Sequence, residues 1–269
     1  MIFLIKIITD SSADLKESFI KENNIEVIKI PTYYDGKDIS NIPYNEFLEL
    51  LEKKDNKIST SQINPNTYMD IFKKYKNDIV LYIGLGSGFS GTFSSATMAK
   101  QMIKEETNND NIYLFDTGTA SIAQGYLVEK ANELKDKDIS IVLDELNNLK
   151  NKIHFITIID DLSYLCSSGR LSKASSMIGN SLNIKPIVSV LNNKIEIIKK
   201  IRGTKNANEF LKKSILEKNG FDLRIGCVKL NENYLKFKDM LSNYIEFGIS
   251  EVISCHVGPP CYGVFFVEK

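Results

Sequence analysis

The chain has 269 residues, of which 43% are hydrophobic and 25% charged. That balance excludes a disordered chain and is enough for two domains of ordinary size. Lysine plus arginine and aspartate plus glutamate both number 34, and a net charge of zero argues against wholesale nucleic-acid binding.

The first half alternates apolar runs with helical patterns. Ile2–Ile8 is too short for a signal sequence, leads straight into Thr9-Asp10-Ser11-Ser12, and is predicted to be a buried first strand. Ser11–Lys21 reads as a helix behind a Ser/Asp cap, Ile25–Pro31 as a strand, and Tyr44–Lys53 and Thr67–Tyr75 as helices with apolar faces. Strands are then predicted at Ile79–Ile83 and Ile112–Phe115, each followed by a helix, Gly91–Glu106 and Ser121–Leu134. Such alternation predicts a mainly parallel sheet flanked by helices.

The second half changes character. Phe155–Ile159 reads as a strand and Ser172–Leu182 as a helix, and Ile184–Val190 with Lys194–Ile201 forms a hairpin about Leu191-Asn192-Asn193. A helix over Ala207–Glu217, a strand near Arg224–Val228 and a helix over Tyr234–Ile245 follow, and Glu251–His256 and Gly263–Val267 read as closing strands. The expected architecture is an N-terminal α/β domain over residues 1–156 and a C-terminal α+β domain over 157–269, the boundary falling near Asn151–Ile159. No apolar stretch approaches the length of about 18 residues needed to cross a membrane. Cys166, Cys227, Cys255 and Cys261 form no CxxC pair and His154 and His256 are the only histidines; the expectation is reduced thiols, a cytoplasmic location and no metal site.

The most informative segment is Gly86-Ser87-Gly88-Phe89-Ser90-Gly91-Thr92, between a predicted strand and a predicted helix. Glycines turn the backbone sharply and a helix N-terminus adds partial positive charge, so the segment suits an anion. Gly86, Gly88 and Gly91 satisfy G-x-G-x-x-G, and Asp116 ends the next strand, as in a dinucleotide site. Ser90, Asp116 or Asp160, and His256 also fall in the chain order of a hydrolase triad, although Thr92 stands where the nucleophile elbow needs glycine. A plain Gly-rich turn is the third reading. Three further segments carry polar groups in loops: Ser59-Thr60-Ser61-Gln62, Cys255-His256-Val257-Gly258-Pro259, and Ser167-Ser168-Gly169-Arg170-Leu171-Ser172-Lys173. Arg170, Arg202 and Arg224 are the only arginines in a lysine-rich chain, and a retained guanidinium suggests a need for its planar fork.

Taken in order, Thr9–Leu15, Thr60–Gln62, Ser87–Thr92, Gly169–Ala174, Lys185-Pro186-Ile187, Ile201-Arg202 and His256–Pro259 resemble the DegV family across nearly the whole chain. The resemblance implies a lipid-binding carrier, not an enzyme. It implies a long-chain fatty acid such as palmitate, stearate or oleate held in a buried tunnel. It further implies a separate fatty acid kinase that converts the carboxylate to an acyl phosphate, with transient contact to a membrane surface and no cofactor beyond the lipid. By the same resemblance the carboxylate contacts fall on Thr60, Ser61, Ser90, Gly91 and His256, and the kinase contacts on Arg170, Lys173 and Arg202. The chain departs from the family at Pro260, where glycine is usual, and at Thr117, where serine is commoner. Proline there removes one backbone donor and stiffens the loop.

Overall fold

Residues 5–55, 57–172, 183–191 and 193–269 are described by the computed structural model. They fall into two units, one comprising the chain up to Pro31 with Ser61–Asn151, the other Thr32–Thr60 with Lys152–Lys269. The chain opens in the first unit with β1 (Ile5–Asp10), a 3-10 turn (Ser11–Ala13), α1 (Glu17–Glu22) and β2 (Glu26–Ile28). It contributes β3 (Thr32–Tyr34), β4 (Lys37–Asp38), α2 (Tyr44–Glu52) and β5 (Ile58–Thr60) to the second. The first unit is completed by α3 (Pro65–Lys74), β6 (Ile79–Gly84), α4 (Thr92–Thr107), β7 (Ile112–Asp116), α5 (Ser121–Glu133) and α6 (Ile139–Lys150). The second unit then takes β8 (Ile153–Ile159), α7 (Ser163–Ser167), β9 (Ile184–Leu191), β10 (Lys194–Arg202), α8 (Thr204–Glu217) and β11 (Phe221–Cys227). It ends with α9 (Glu232–Lys238), β12 (Ile245–Glu246), α10 (Glu251–Val257) and β13 (Cys261–Val267).

The first unit holds a sheet in the order β2-β1-β6-β7, with every neighbouring pair parallel. β1 is buried at every position and β6 at all but its first. That is why both read as unbroken apolar runs: strands of a parallel sheet are covered on both faces. Helix α5 is buried from Ser121 through Val128. It packs on the turn after β1 so closely that a Cβ at Gly125 would overlap the Ala13 carbonyl oxygen.

The second unit holds a mixed sheet in the order β10-β9-β8-β13-β11-β12, antiparallel except for the β11–β12 pair. A small antiparallel sheet, β4-β3-β5, belongs to the same unit. Ile158, Ile187, Leu211, Phe237, Val264 and Phe266 form the core between the large sheet and its helices. The mainly parallel α/β sheet and the α+β architecture expected from the sequence are both present.

Several elements differ from expectation. Glu251–His256, expected as a strand, is helix α10. Ser250 precedes it in an extended conformation, Gly258 closes it at φ +76°, and Val252 and Cys255 share its buried side at helical spacing. The expected helix over Ser11–Lys21 is interrupted, because Asp14 turns left-handed at φ 49° between the 3-10 turn and α1. The helix expected over Tyr234–Ile245 stops at Lys238, and Ile245 begins β12. Helix α6 was not expected from periodicity, although the Asp138 side chain accepts from the Ser140 N–H as an N-cap. The helix expected over Ser172–Leu182 lies outside the described residues beyond Ser172. Among the described residues no helix is long and apolar enough to cross a membrane.

Candidate ligand-binding site

Within the second unit, Thr60 ends β5 and His256 lies one residue before the end of α10. Thr60 Oγ1 sits 3.1 Å from His256 Nε2. Both line a cavity of about 320 Å³ with Arg170, while Leu50, Leu51 and Ile58 supply apolar wall. The lining therefore combines charged and polar groups, Lys54, Asp55 and the Arg170 guanidinium among them, with aliphatic side chains.

Burial first, and the Arg170 guanidinium second, lower the His256 pKa to about 3. The ring is neutral near pH 7. Its Nδ1 is buried and bonds to nothing in the protein. The tautomer follows from cost: an orphaned buried N–H is worse than an orphaned lone pair. Nε2 therefore carries the hydrogen and donates to Thr60 Oγ1, which leaves the Thr60 hydroxyl hydrogen for another acceptor. Threonine and imidazole together make a neutral, preorganised donor of the kind a carboxylate accepts. Burial pushes the neighbouring Cys255 thiol up to about 12 against the opposing influence of Arg170, so this thiol is no nucleophile.

Tyr164 also lines the cavity and has no signature in the sequence. Its hydroxyl donates to the Leu51 carbonyl over 3.1 Å, and its ring fills the space that a Cβ on Gly258 would occupy. Gly258, two residues after His256, is thus required twice, for its positive φ and for this ring. Arg170 follows the left-handed Gly169, bonds through its backbone N–H to the Leu165 carbonyl, and donates from its guanidinium to the Ser168 carbonyl. It lies just beyond the C-terminus of α7, where a cation is favoured.

In the first unit, Gly86–Gly91 links β6 to α4. Ser90 Oγ accepts from the Thr92 N–H at 3.2 Å and donates to Thr92 Oγ1 at 3.0 Å. Gly91 leaves room for the Gln62 side chain, whose flexible Oε1 end would have to shift for a Cβ there; the same amide group donates to Ser95 Oγ over 3.3 Å. Gln62 of the Thr60–Gln62 motif thus shapes the loop that carries Ser90. Ser61 is exposed and its N–H is bonded to the Pro31 carbonyl.

Asp116 accepts from the Ser87 N–H at 3.1 Å, the Ser87 hydroxyl at 2.6 Å and the Gly118 N–H at 2.9 Å. Its carboxylate is engaged in bracing the loop, which removes the acid a ribose would need. The hydrolase reading gains no support, since a general base works best with a pKa near the operating pH and burial lowers that of His256 to about 3. Among the described residues no cluster of His, Cys, Asp and Glu suits a metal ion. Arg202 ends β10, is exposed, and lines a separate shallow depression with Lys199, Lys200 and Phe210. Lys173 lies outside the described residues.

Residues 4–269 match the family described as "Uncharacterised protein, DegV family". A DegV domain-containing protein of Staphylococcus aureus is 30% identical over 281 aligned positions, covering 98% of this chain and 98% of the relative. One of Lactococcus lactis is 33% identical over 222, covering 79% and 77%. Two solved structures share the architecture. DegV of Bacillus subtilis, called a fatty acid binding protein, has a TM-score of 0.83 at 27% identity and covers 99% of this chain and 100% of its own. A fatty acid binding DegV family protein of Streptococcus agalactiae has a TM-score of 0.88 at 25% identity and covers 99% of each. With a family match over almost its whole length, the chain belongs to the DegV family.

Proposed function

We propose that this protein binds a long-chain fatty acid, such as palmitate, stearate or oleate, in the cytoplasm and presents its carboxylate to a separate fatty acid kinase that forms the acyl phosphate. The observation that carries the reading is the Thr60–His256 pair, a neutral hydroxyl–imidazole donor beside a guanidinium in one cavity. The B. subtilis and S. agalactiae relatives, both called fatty acid binding, support the same class of ligand. Thr60, Ser61, Ser90 and the Gly91 N–H are the proposed donors to the carboxylate, and His256 is the proposed head-group residue that acts through its bond to Thr60. Arg170, Lys173 and Arg202 are the proposed contacts with the kinase, and a membrane surface is the proposed place of transient lipid exchange.

Energetics assign the parts different tasks. Burying about 14 methylenes at about 0.8 kcal/mol each gives on the order of 11 kcal/mol before ordering costs. Each charge-assisted hydrogen bond to the head group adds about 1.5–3 kcal/mol. The tail therefore sets affinity and the head contacts set orientation, a division suited to a carrier. Native mass spectrometry with lipid extraction of the purified protein is the test. A co-purified fatty acid and no saturable NAD binding is the expected result; tight NAD binding with an empty lipid extract would overturn the reading.

A further inference from the structure

The segment Thr9–Asp14 carries one buried carboxylate and several hydroxyls, and all of them are used inside the first unit. Asp10 is completely buried at the end of β1. One carboxylate oxygen accepts from the Ser12 N–H at 3.1 Å and from the Ser12 hydroxyl. The other accepts from the Tyr82 hydroxyl at 2.7 Å and the Leu85 N–H at 3.0 Å. Thr9 donates to the Ile83 carbonyl at 2.8 Å and accepts from Gln124 at 3.1 Å, and Ser11 accepts from the Ile30 N–H at 2.9 Å. A buried carboxylate with four protein donors is satisfied in place, not waiting for a substrate.

What Asp10 holds is the Ser90 loop, from both ends. Leu85 is the residue immediately before Gly86, and its N–H is fixed by the carboxylate. Tyr82 is fixed by the same oxygen, and its ring stacks on Phe93, in the first turn of α4, at 6.2 Å between centroids and 28° between planes. Tyr82 receives in turn the hydroxyl of buried Tyr68 at 2.8 Å. Entry to the loop at Leu85 and exit from it at Phe93 are thereby tied to one carboxylate.

We infer that Asp10 is a positioning residue that, through Leu85 and Tyr82, fixes the Gly86–Thr92 loop and hence the orientation of Ser90 and Gly91. The consequence for ligand binding rests on the proposed fatty-acid reading; the clamp on the loop does not. A directional clamp is worth more than its bonds alone, because a head-group donor misplaced by an ångström loses most of its hydrogen bond.

Two measurements test this on the whole chain. The first is amide hydrogen exchange in Asp10→Asn and in Tyr82→Phe, which keeps the ring and removes the hydroxyl's bonds to Asp10 and Tyr68, with Tyr68→Phe as the control that removes only the latter. Faster exchange confined to Leu85 through Thr92, on the order of tenfold, is expected, with the amides of β1 and β6 keeping parent rates. Parent-like exchange in the loop, or a uniform rise across the unit, would show that Asp10 serves only general stability and would overturn the inference. The second is a double-mutant cycle between Tyr82→Phe and Ser90→Ala, read as the dissociation constant for palmitate in folded protein. Tyr82→Phe should weaken binding on the order of tenfold in the parent and much less once Ser90 is alanine. Strict additivity contradicts positioning through the loop. A parent that takes up no palmitate defeats the proposed function instead, and the exchange experiment still decides the clamp.

Discussion

Thr60 Oγ1 and His256 Nε2 lie 3.1 Å apart, joining the end of β5 to the last turn of α10. Burial leaves the ring a weak base, so its service is directional: its N–H takes one acceptor side of the Thr60 oxygen and leaves the hydroxyl hydrogen for another acceptor.

That relationship predicts the behaviour of three alanine variants. Thr60→Ala, Ser90→Ala and His256→Ala should each weaken fatty-acid retention by about 1–3 kcal/mol, the value of a lost hydrogen bond to a charged group. Thr60→Ala with Ser90→Ala should lose more than either alone. Because His256 acts through Thr60, His256→Ala should add little in a Thr60→Ala background. Retention of lipid at parent levels in all three single variants would eliminate the head-group assignment.

Acid should unfold the second unit in part through His256. Its folded pKa is lowered, from an ordinary value of 6.5 to about 3. Between these values the unfolded chain binds a proton that the folded one refuses, so stability is full above about pH 6.5 and declines as pH falls toward about 3. His154 is lowered too, by burial, with its bond to Glu268 opposing, and contributes with the same sign. Thermal melts of lipid-free protein at pH 7 and pH 4.5 should show a smaller acid loss in His256→Gln than in the parent. A difference of a few kcal/mol at most is expected. Identical acid losses would mean that His256 is not held neutral by its surroundings.

The local pattern disclosed some of this and hid the rest for identifiable reasons. β1 and β6 were legible because strands buried on both faces write themselves as apolar runs, the edge strand β7 as a shorter apolar run that is half-buried, and β9–β10 because Asn-Asn marks a tight turn. The polar segments around Thr60, Ser90 and His256 stood out as hydroxyl, glycine and histidine in loops. Helix α10 did not, since Val252, Ile253 and Val257 favour strands and only its caps and the Val252–Cys255 spacing argue otherwise. Nor did the sharing of one cavity by Arg170, Thr60 and His256, or the reach of Asp10 to Tyr82. The latter depends on β1 pairing with β6 in the register that sets Thr9 beside Ile83, and register between distant strands leaves no local trace.

Gly125 gives a stability prediction with an unusual sign. In an exposed helix, glycine to alanine stabilises by about 1 kcal/mol. Here the added methyl would strike the Ala13 carbonyl oxygen, a backbone atom in the turn that follows Asp10. Gly125→Ala should therefore destabilise by about 1–3 kcal/mol. Gly91→Ala should cost less, since it meets only the flexible end of Gln62. Urea unfolding of the two variants provides the comparison, and a stabilised Gly125→Ala would contradict the close packing of α5 on this turn.

Arg170 is the residue at which lipid binding and partner recognition should separate. It lines the cavity with Thr60 and His256 and depresses the histidine's basicity, but only as the second cause after burial. Removing its charge therefore leaves His256 neutral at pH 7 and the Thr60 hydroxyl hydrogen still left for another acceptor. Arg170→Ala should keep fatty acid to within a few-fold of the parent and remain folded, its turn still held by the Gly169 conformation and by the backbone bond to Leu165. Phosphoryl transfer by the proposed kinase partner should fall sharply, because a planar guanidinium lining the cavity matches a carboxylate or phosphate on two points. Arg170→Lys keeps the charge and loses the fork, so it should restore only part of the turnover. The two measurements are lipid occupancy and kinase-coupled turnover on the same preparations. Unchanged turnover would reduce Arg170 to a cap on the end of α7, and lost lipid would move it into the head-group site itself.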